Sequence, residues 1–227
     1  MSGLHEDRLK SVVVDTNALE WQQSPAKGVW RKRLELIGDT EKGMVTSIVR
    51  FDPGAGFPMH DHPMGEEVLV LDGVFADEFG SYGKGSFTLL PTGSRHQPQT
   101  DTGCTLFVKL CQYAGDDRPT RRIDTTDAGG WVDVGPGRQR FTVYEDKAHP
   151  EKIYLSRLAP GSVVDHHTHD GGEEVFVIEG EIADENGLYP AGTWFRLADG
   201  SSHAPRSDTG CLLYVKTGHL PKQQAAA

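Results

Sequence analysis

His60-Asp-His62-Pro-Met-Gly-Glu66-Glu67-Val-Leu-Val-Leu-Asp-Gly73 is answered 107 residues later by His167-Thr-His169-Asp-Gly-Gly-Glu173-Glu174-Val-Phe-Val-Ile-Glu-Gly180. The same offset carries His96 onto His203 and Gly54, Gly85 and Gly93 onto Gly161, Gly192 and Gly200. The register holds without a gap from Gly54–Lys109 to Gly161–Lys216, with 27 identities in 56 positions. This is an internal duplication. It filters the sequence for what both halves require: histidines, acidic residues, turn glycines, Ala-Asp-Glu at 76–78 and 183–185, and Asp-Thr-Gly-Cys at 101–104 and 208–211.

The spacing gives those histidines a physical meaning. On an extended strand, residues i and i+2 face the same way, about 6.6 Å apart at the usual rise. His60 and His62 therefore project side by side, which a helix would not allow. In the run His166-His167-Thr168-His169, strand parity and the offset both pair His167 with His169. The Val- and Leu-rich segment after each pair reads as the next strand of a hairpin, ending at Gly73 or Gly180, and brings a carboxylate back beside the imidazoles. Only one of Glu66 and Glu67, and one of Glu173 and Glu174, can face the histidines. His96 and His203 each follow a further strand and a glycine turn. Three imidazoles and one carboxylate suit iron, manganese, nickel, copper or zinc. Four protein ligands leave open positions on a six-coordinate ion for water, oxygen or substrate.

The 227 residues suffice for two compact domains. With 27 Gly, 13 Pro and no long helical period, they read as short strands joined by tight turns. Strands are expected at Ser11–Val14, Trp30–Ile37, Met44–Phe51, 67–71, 74–79, 86–90 and 104–110. The cycle restarts at Trp131. This divides the chain into an N-terminal domain over 11–114, a linker over 115–130 and a C-terminal domain over 131–220. Ligands drawn from separate strands must converge inside a small jelly-roll barrel. A net charge of −10 disfavours nucleic acid and anionic membranes as partners. No apolar run is long enough for a membrane span, and the first residues lack a signal peptide's apolar core, so a cytoplasmic location is expected. Cys104 and Cys211 sit in apolar runs and read as core residues.

Gly54-x5-His60-x-His62-x3-Glu66-x6-Gly73 with Gly85-x5-Pro91-x-Gly93-x2-His96 resembles the two motifs of the cupins, and the second half repeats both with Ala198 for the proline. The chain is therefore similar to a bicupin: all-β, two tandem double-stranded β-helix barrels. Gly28-Val-Trp30-Arg-Lys-Arg-Leu-Glu35 and Gly103-Cys-Thr-Leu-Phe-Val-Lys109 extend the likeness to the ChrR-like cupins. The resemblance implies His60, His62, Glu66 and His96, and His167, His169, Glu173 and His203, as ligands of one divalent transition metal per domain: Fe(II) or zinc, with nickel or manganese as alternatives. Glu67 and Glu174 would then face away or support the ligands from behind, and Ser47 and Tyr154 are candidates to meet substrate. The family is often dimeric, which implies a homodimer here. The anti-sigma factor that names the subgroup has a separate zinc-binding domain with a His-x3-Cys-x2-Cys arrangement. Residues 1–40 hold no cysteine, so sigma-factor binding is not carried over. The expected activity is a metal-dependent, dioxygenase-type reaction on a small organic substrate in the barrel. The alternative is a non-catalytic sensor in which a metal or small ligand alters contact with a partner protein.

Overall fold

The computed structural model describes residues 3–39, 42–115 and 117–223. They form strands and turns, with single-turn 3-10 helices at Thr16–Ala18 and Ala128–Gly130. No helix among them is long and apolar enough to cross a membrane. The chain separates into two compact units, each an antiparallel barrel around its own apolar core.

In the first unit the main sheet runs Arg121–Asp124, Ser86–Leu90, Glu66–Asp77, Cys104–Leu110, Met44–Phe51, Val29–Ile37, Gln22–Gln23. In the second it runs Val12–Asp15, Thr193–Leu197, Glu173–Asp184, Cys211–Thr217, Lys152–Leu158, Arg138–Glu145, Trp131–Gly135. Alternation places the apolar residues. Val68 and Val70 join Val49, Phe51, Leu106 and Val108 in the first core, and Val175 and Val177 join Leu158, Leu213 and Val215 in the second. Glu66 shares the inward parity of Val68 and Val70, so its carboxylate enters the barrel on the core side. Cys104 and Cys211 are free thiols within these cores.

Two sequence expectations change. Gly73 does not end a strand: Glu66–Asp77 is continuous and bends there. A register shift opposite Thr105 and Leu106 leaves Leu71 as the bulged residue. Gly73 has φ 74°, and a Cβ on it would lie 2.2 Å from the carbonyl oxygen of Gly103, so only glycine lets the two backbones approach. The carboxylate strand is also not the hairpin partner of the His-x-His strand. His60–His62 pairs instead with Ser94–His96, setting His60 directly opposite His96.

The domain boundaries differ as well. Residues 11–18, expected in the first domain, fall in the second unit with the rest of Asp7–Ala18, and the first unit extends into the expected linker as far as Thr126. Val12–Asp15 pairs with Thr193–Arg196, and Arg121–Asp124 pairs with Ser86–Leu89. These are equivalent edges: Thr16 Oγ1 donates to the Gly192 carbonyl at 2.6 Å, and Thr125 Oγ1 to the Gly85 carbonyl at 2.5 Å. Each barrel is thus closed by the strand that precedes the other repeat. The physical reason lies in the uncovered edge, whose backbone groups and buried side chains need partners. Arg196, 1% exposed, donates to the carbonyls of Asp7 at 2.9 Å and Lys10 at 3.3 Å.

Removing residues 1–18 takes from Arg196 the carbonyls of Asp7 and Lys10 and bares the 193–197 edge. Hydrogen exchange should accelerate at least about tenfold in 173–177 and 193–197 while 66–70 and 86–90 keep their protection. Equal loss in both sets would contradict the strand assignment.

Candidate metal centres

The short pair His60–His62 with Ser94–His96 delivers three imidazoles to one point. Their ring centroids stand 4.8 Å (His60–His62), 5.1 Å (His60–His96) and 4.8 Å (His62–His96) apart. One ring nitrogen from each lies within 4.8 Å of the others. Glu66 Oε2 completes the group, 3.3 Å from both His62 Nε2 and His96 Nε2. The second unit repeats it: centroids at 4.8, 5.0 and 4.9 Å, and Glu173 Oε2 at 3.5 Å from His169 Nε2 and His203 Nε2. All eight sequence-expected ligands are therefore brought together in two sets of four.

The hydrogen bonds behind the rings fix which nitrogen faces the centre. A carbonyl or carboxylate oxygen accepts only, so the ring nitrogen beside it carries the proton. His60 Nδ1 donates to the Pro58 carbonyl at 3.0 Å, and His167 Nδ1 to the Asp165 carbonyl at 2.8 Å. His203 Nδ1 donates to Asp184 Oδ2 at 3.0 Å, and His96 Nδ1 faces Asp77 Oδ2 at 3.5 Å. With Nδ1 turned to these acceptors, His60, His167 and His203 present Nε2 inward. Nε2 of His62, His96, His169 and His203 and Oε2 of Glu66 are buried without a hydrogen-bond partner. Leaving a buried polar atom unsatisfied costs about 1–3 kcal/mol. Such atoms pointing at one another, all electron-pair donors, fit a divalent cation and fit nothing neutral as well.

Burial dominates the electrostatics. It holds His62 down to about 3, reinforced by the neighbouring His96 and His60, and lifts the Glu66 carboxyl to about 8 against the opposing charge of Arg31. Burial likewise lowers His96 and His169. His203 differs: burial pulls it down, but the neighbouring carboxylates of Glu173 and Asp184 outweigh this and leave it raised. The halves diverge here because Glu173 raises His203, whereas His60 pushes His96 down further against the opposing charge of Asp77; Arg122 Nη2 lies 3.8 Å from Asp77 Oδ2. The residue occupying the Arg122 place in the second unit is Val13.

Each cluster forms the floor of an open cavity, of about 710 Å³ in the first unit and about 570 Å³ in the second. Ser47 and Tyr154, expected to meet substrate, occupy the same place on the two walls, one sheet position per barrel. Glu67 and Glu174 do not support the metal ligands. Strand parity turns them to the opposite face, where both are buried; Glu174 accepts from Trp194 Nε1 at 2.8 Å and meets His219 Nε2 at 3.1 Å. His166 lines the second cavity as an exposed residue outside the imidazole cluster. The sequence reading missed the role of Asp77 and Asp184. Their signal was present in the duplicated Ala-Asp-Glu run. The glutamates of that run also serve: Glu78 accepts from Gln97 N at 2.9 Å and Glu185 from Ala204 N at 3.1 Å, pinning the backbone just after each third histidine.

The profile of the ChrR cupin-like domain matches the chain twice, over residues 9–114 and 120–221. The chain belongs to this family. Among solved structures, this cupin resembles a candidate dioxygenase from Nostoc punctiforme, with TM-score 0.77 at 16% identity over 96% of this chain and 85% of that one. The Escherichia coli pirin YhhW, solved with nickel(II), gives 0.69 at 14% identity over 94% and 100%. Bacillus subtilis oxalate decarboxylase, a protein with Mn(II) centres, gives 0.64 at 13% identity over 94% and 78%. No functionally curated protein sequence matches. At these identities the likeness carries the fold and not the reaction.

Asp184→Asn keeps an acceptor for the turn amides of Asn186 and Gly187 but puts an amide against His203 Nδ1. Zinc affinity of the second site should fall about 10–100-fold, read by chelator competition, with the first site unchanged. Unaltered affinity at both sites would refute the supporting role of Asp184.

Proposed function

We propose that this cupin is a metal-dependent enzyme of the dioxygenase type, acting on a small organic substrate held in the barrel. The observation that carries it is the placement of each donor cluster on the floor of a cavity open to solvent, rather than sealed inside the core. A structural metal is normally closed off by its ligands, whereas a catalytic one keeps access.

His60, His62, Glu66 and His96 would hold one ion, and His167, His169, Glu173 and His203 the other. A redox-active ion such as Fe(II), when bound, supplies dioxygen activation and an anchor for a chelating substrate. The chain's own residues do the rest. Asp184 holds the ring of His203 from behind by a hydrogen bond, and Asp77 faces the ring of His96 at 3.5 Å. Phe51, Phe57 and Phe75 give the first cavity an apolar wall, with edge-to-face contacts centred at 5.8 and 6.4 Å, which orients a flat or aliphatic body and limits water. In the second cavity Tyr154 replaces Ser47. Burial, with Glu173 adding to it, raises that phenol above its usual range, so it stays a protonated hydroxyl.

Elemental analysis of untagged protein prepared without chelator should find about two irons per chain, one for each donor set. The loaded protein should then consume oxygen with a diketone or a phenol. Zinc without turnover would sink the oxygenase reading and favour the sensor. His60→Ala should remove about one metal per chain and leave the second site loaded; an unchanged count would remove the first-site assignment.

A further inference from the structure

Outside the gapless repeat, the strands Val29–Ile37 and Arg138–Glu145 are equivalent. Arg31 pairs with Val49 and Arg140 with Ser156, which correspond at the 107 offset, and both strands shift register three residues further on, before Glu35 and Tyr144. This aligns them at an offset of 109. Val-Trp-Arg-Lys-Arg-Leu-Glu-Leu then stands over Arg-Gln-Arg-Phe-Thr-Val-Tyr-Glu, and Arg31 with Arg140 is the one identity. Two strands that have changed every other residue have both kept this guanidinium.

Both arginines line the cavities that hold the imidazole clusters. Arg31 lies 5.8 Å from the centroid of Phe57, whose ring is 5.9 Å from that of His60. Its charge acts on the Glu66 carboxyl. Arg140 lies 4.2 Å over the ring of Tyr154, where the charge of Glu173 is also felt. Each cavity thus presents a fixed cation on its wall, within one aromatic ring of the donor cluster on its floor. A guanidinium offers two parallel N–H donors that match a carboxylate, and stacking on an aromatic face holds that fork in place.

We propose that Arg31 and Arg140 are specificity-determining residues that select a carboxylate-bearing substrate, holding its anionic group while its reacting end lies against the imidazole cluster. The assignment rests on the enzymatic reading of the same cavities and names the class of molecule they take. The two cavities share the charge of their ligand and differ in its body. Phe51, Phe57 and Phe75 suit an aryl or branched apolar acid in the first, whereas Leu158, Val164 and Ile182, with Tyr154 projecting, suit a smaller one in the second.

The test uses the full chain loaded with cobalt(II), whose visible spectrum reports ligands reaching the centre, together with calorimetry. Acetate and benzoate are titrated against their neutral counterparts, acetamide and benzamide. In the Arg31→Gln, Arg140→Gln double variant the preference for acid over amide should fall at least about tenfold, with amide binding and cobalt stoichiometry unchanged. Arg31→Lys and Arg140→Lys should retain part of the preference, and they carry the test if the glutamine variant does not fold. A preference identical to wild type in the variants would overturn the proposal. So would a change in cobalt affinity with no change in preference, which would reduce Arg31 to a counter-charge for Glu66. Failure to consume oxygen with any substrate would defeat the oxygenase reading and leave this selectivity standing, so the two can fail separately.

Discussion

Each unit is organised around a burial that water would oppose. Three imidazoles and a carboxylate are taken into a barrel with their inward nitrogens and one oxygen facing a common point. The cost is visible in the acid–base behaviour of the first site, where one histidine is driven far below its usual range and the facing carboxyl far above it. A barrel that keeps such groups must hold them rigidly, because a ring that turned away would remain buried and unsatisfied. The structure meets this with backbone more than with packing. A two-stranded pair sets two histidines opposite each other, a long strand delivers the carboxylate, and acceptors behind the rings fix which nitrogen turns inward.

The fold and the ligand sets were legible because they lie inside the gapless part of the duplication. There, each position has an internal counterpart, and period-two alternation states which side chains share a face. The remainder was hidden for identifiable reasons. Upstream of the Met44–Phe51 and Lys152–Leu158 strands the offset changes from 107 to 109, so Arg31 and Arg140 do not align until sheet register links them through Val49 and Ser156. Strand exchange was hidden because pairing of Val12–Asp15 with Thr193–Arg196 joins residues about 180 apart, and nothing local marks it. The continuity of Glu66–Asp77 was missed because a glycine after a strand reads equally as a turn or as a bulge; the close approach of Gly103 decides, and that is a tertiary fact.

The halves are not copies in their electrostatics. Asp184 serves His203 at 3.0 Å, while Asp77 stands 3.5 Å from His96 and has Arg122 beside it. That guanidinium arrives on the very strand exchanged between repeats, since Arg121–Asp124 closes the first barrel and the uncharged Val12–Val14 the second. The closing strand therefore does more than cover an edge: in the first barrel it brings a guanidinium beside the carboxylate behind the third histidine.

The duplication finally separates what the chemistry needs from what the ligand needs. The floor is invariant: imidazoles, carboxylate and the Ala-Asp-Glu support recur in both halves. The walls are not, for Ser47, Phe57 and Phe75 become Tyr154, Val164 and Ile182, and the cavity shrinks from about 710 to about 570 Å³. Arg31 and Arg140 stand half-buried at one equivalent place on these walls. Both halves lost nearly everything else on that strand and kept the arginine. A cation kept at the same wall position in both halves, beside the donor cluster, is explained by a ligand that meets both at once.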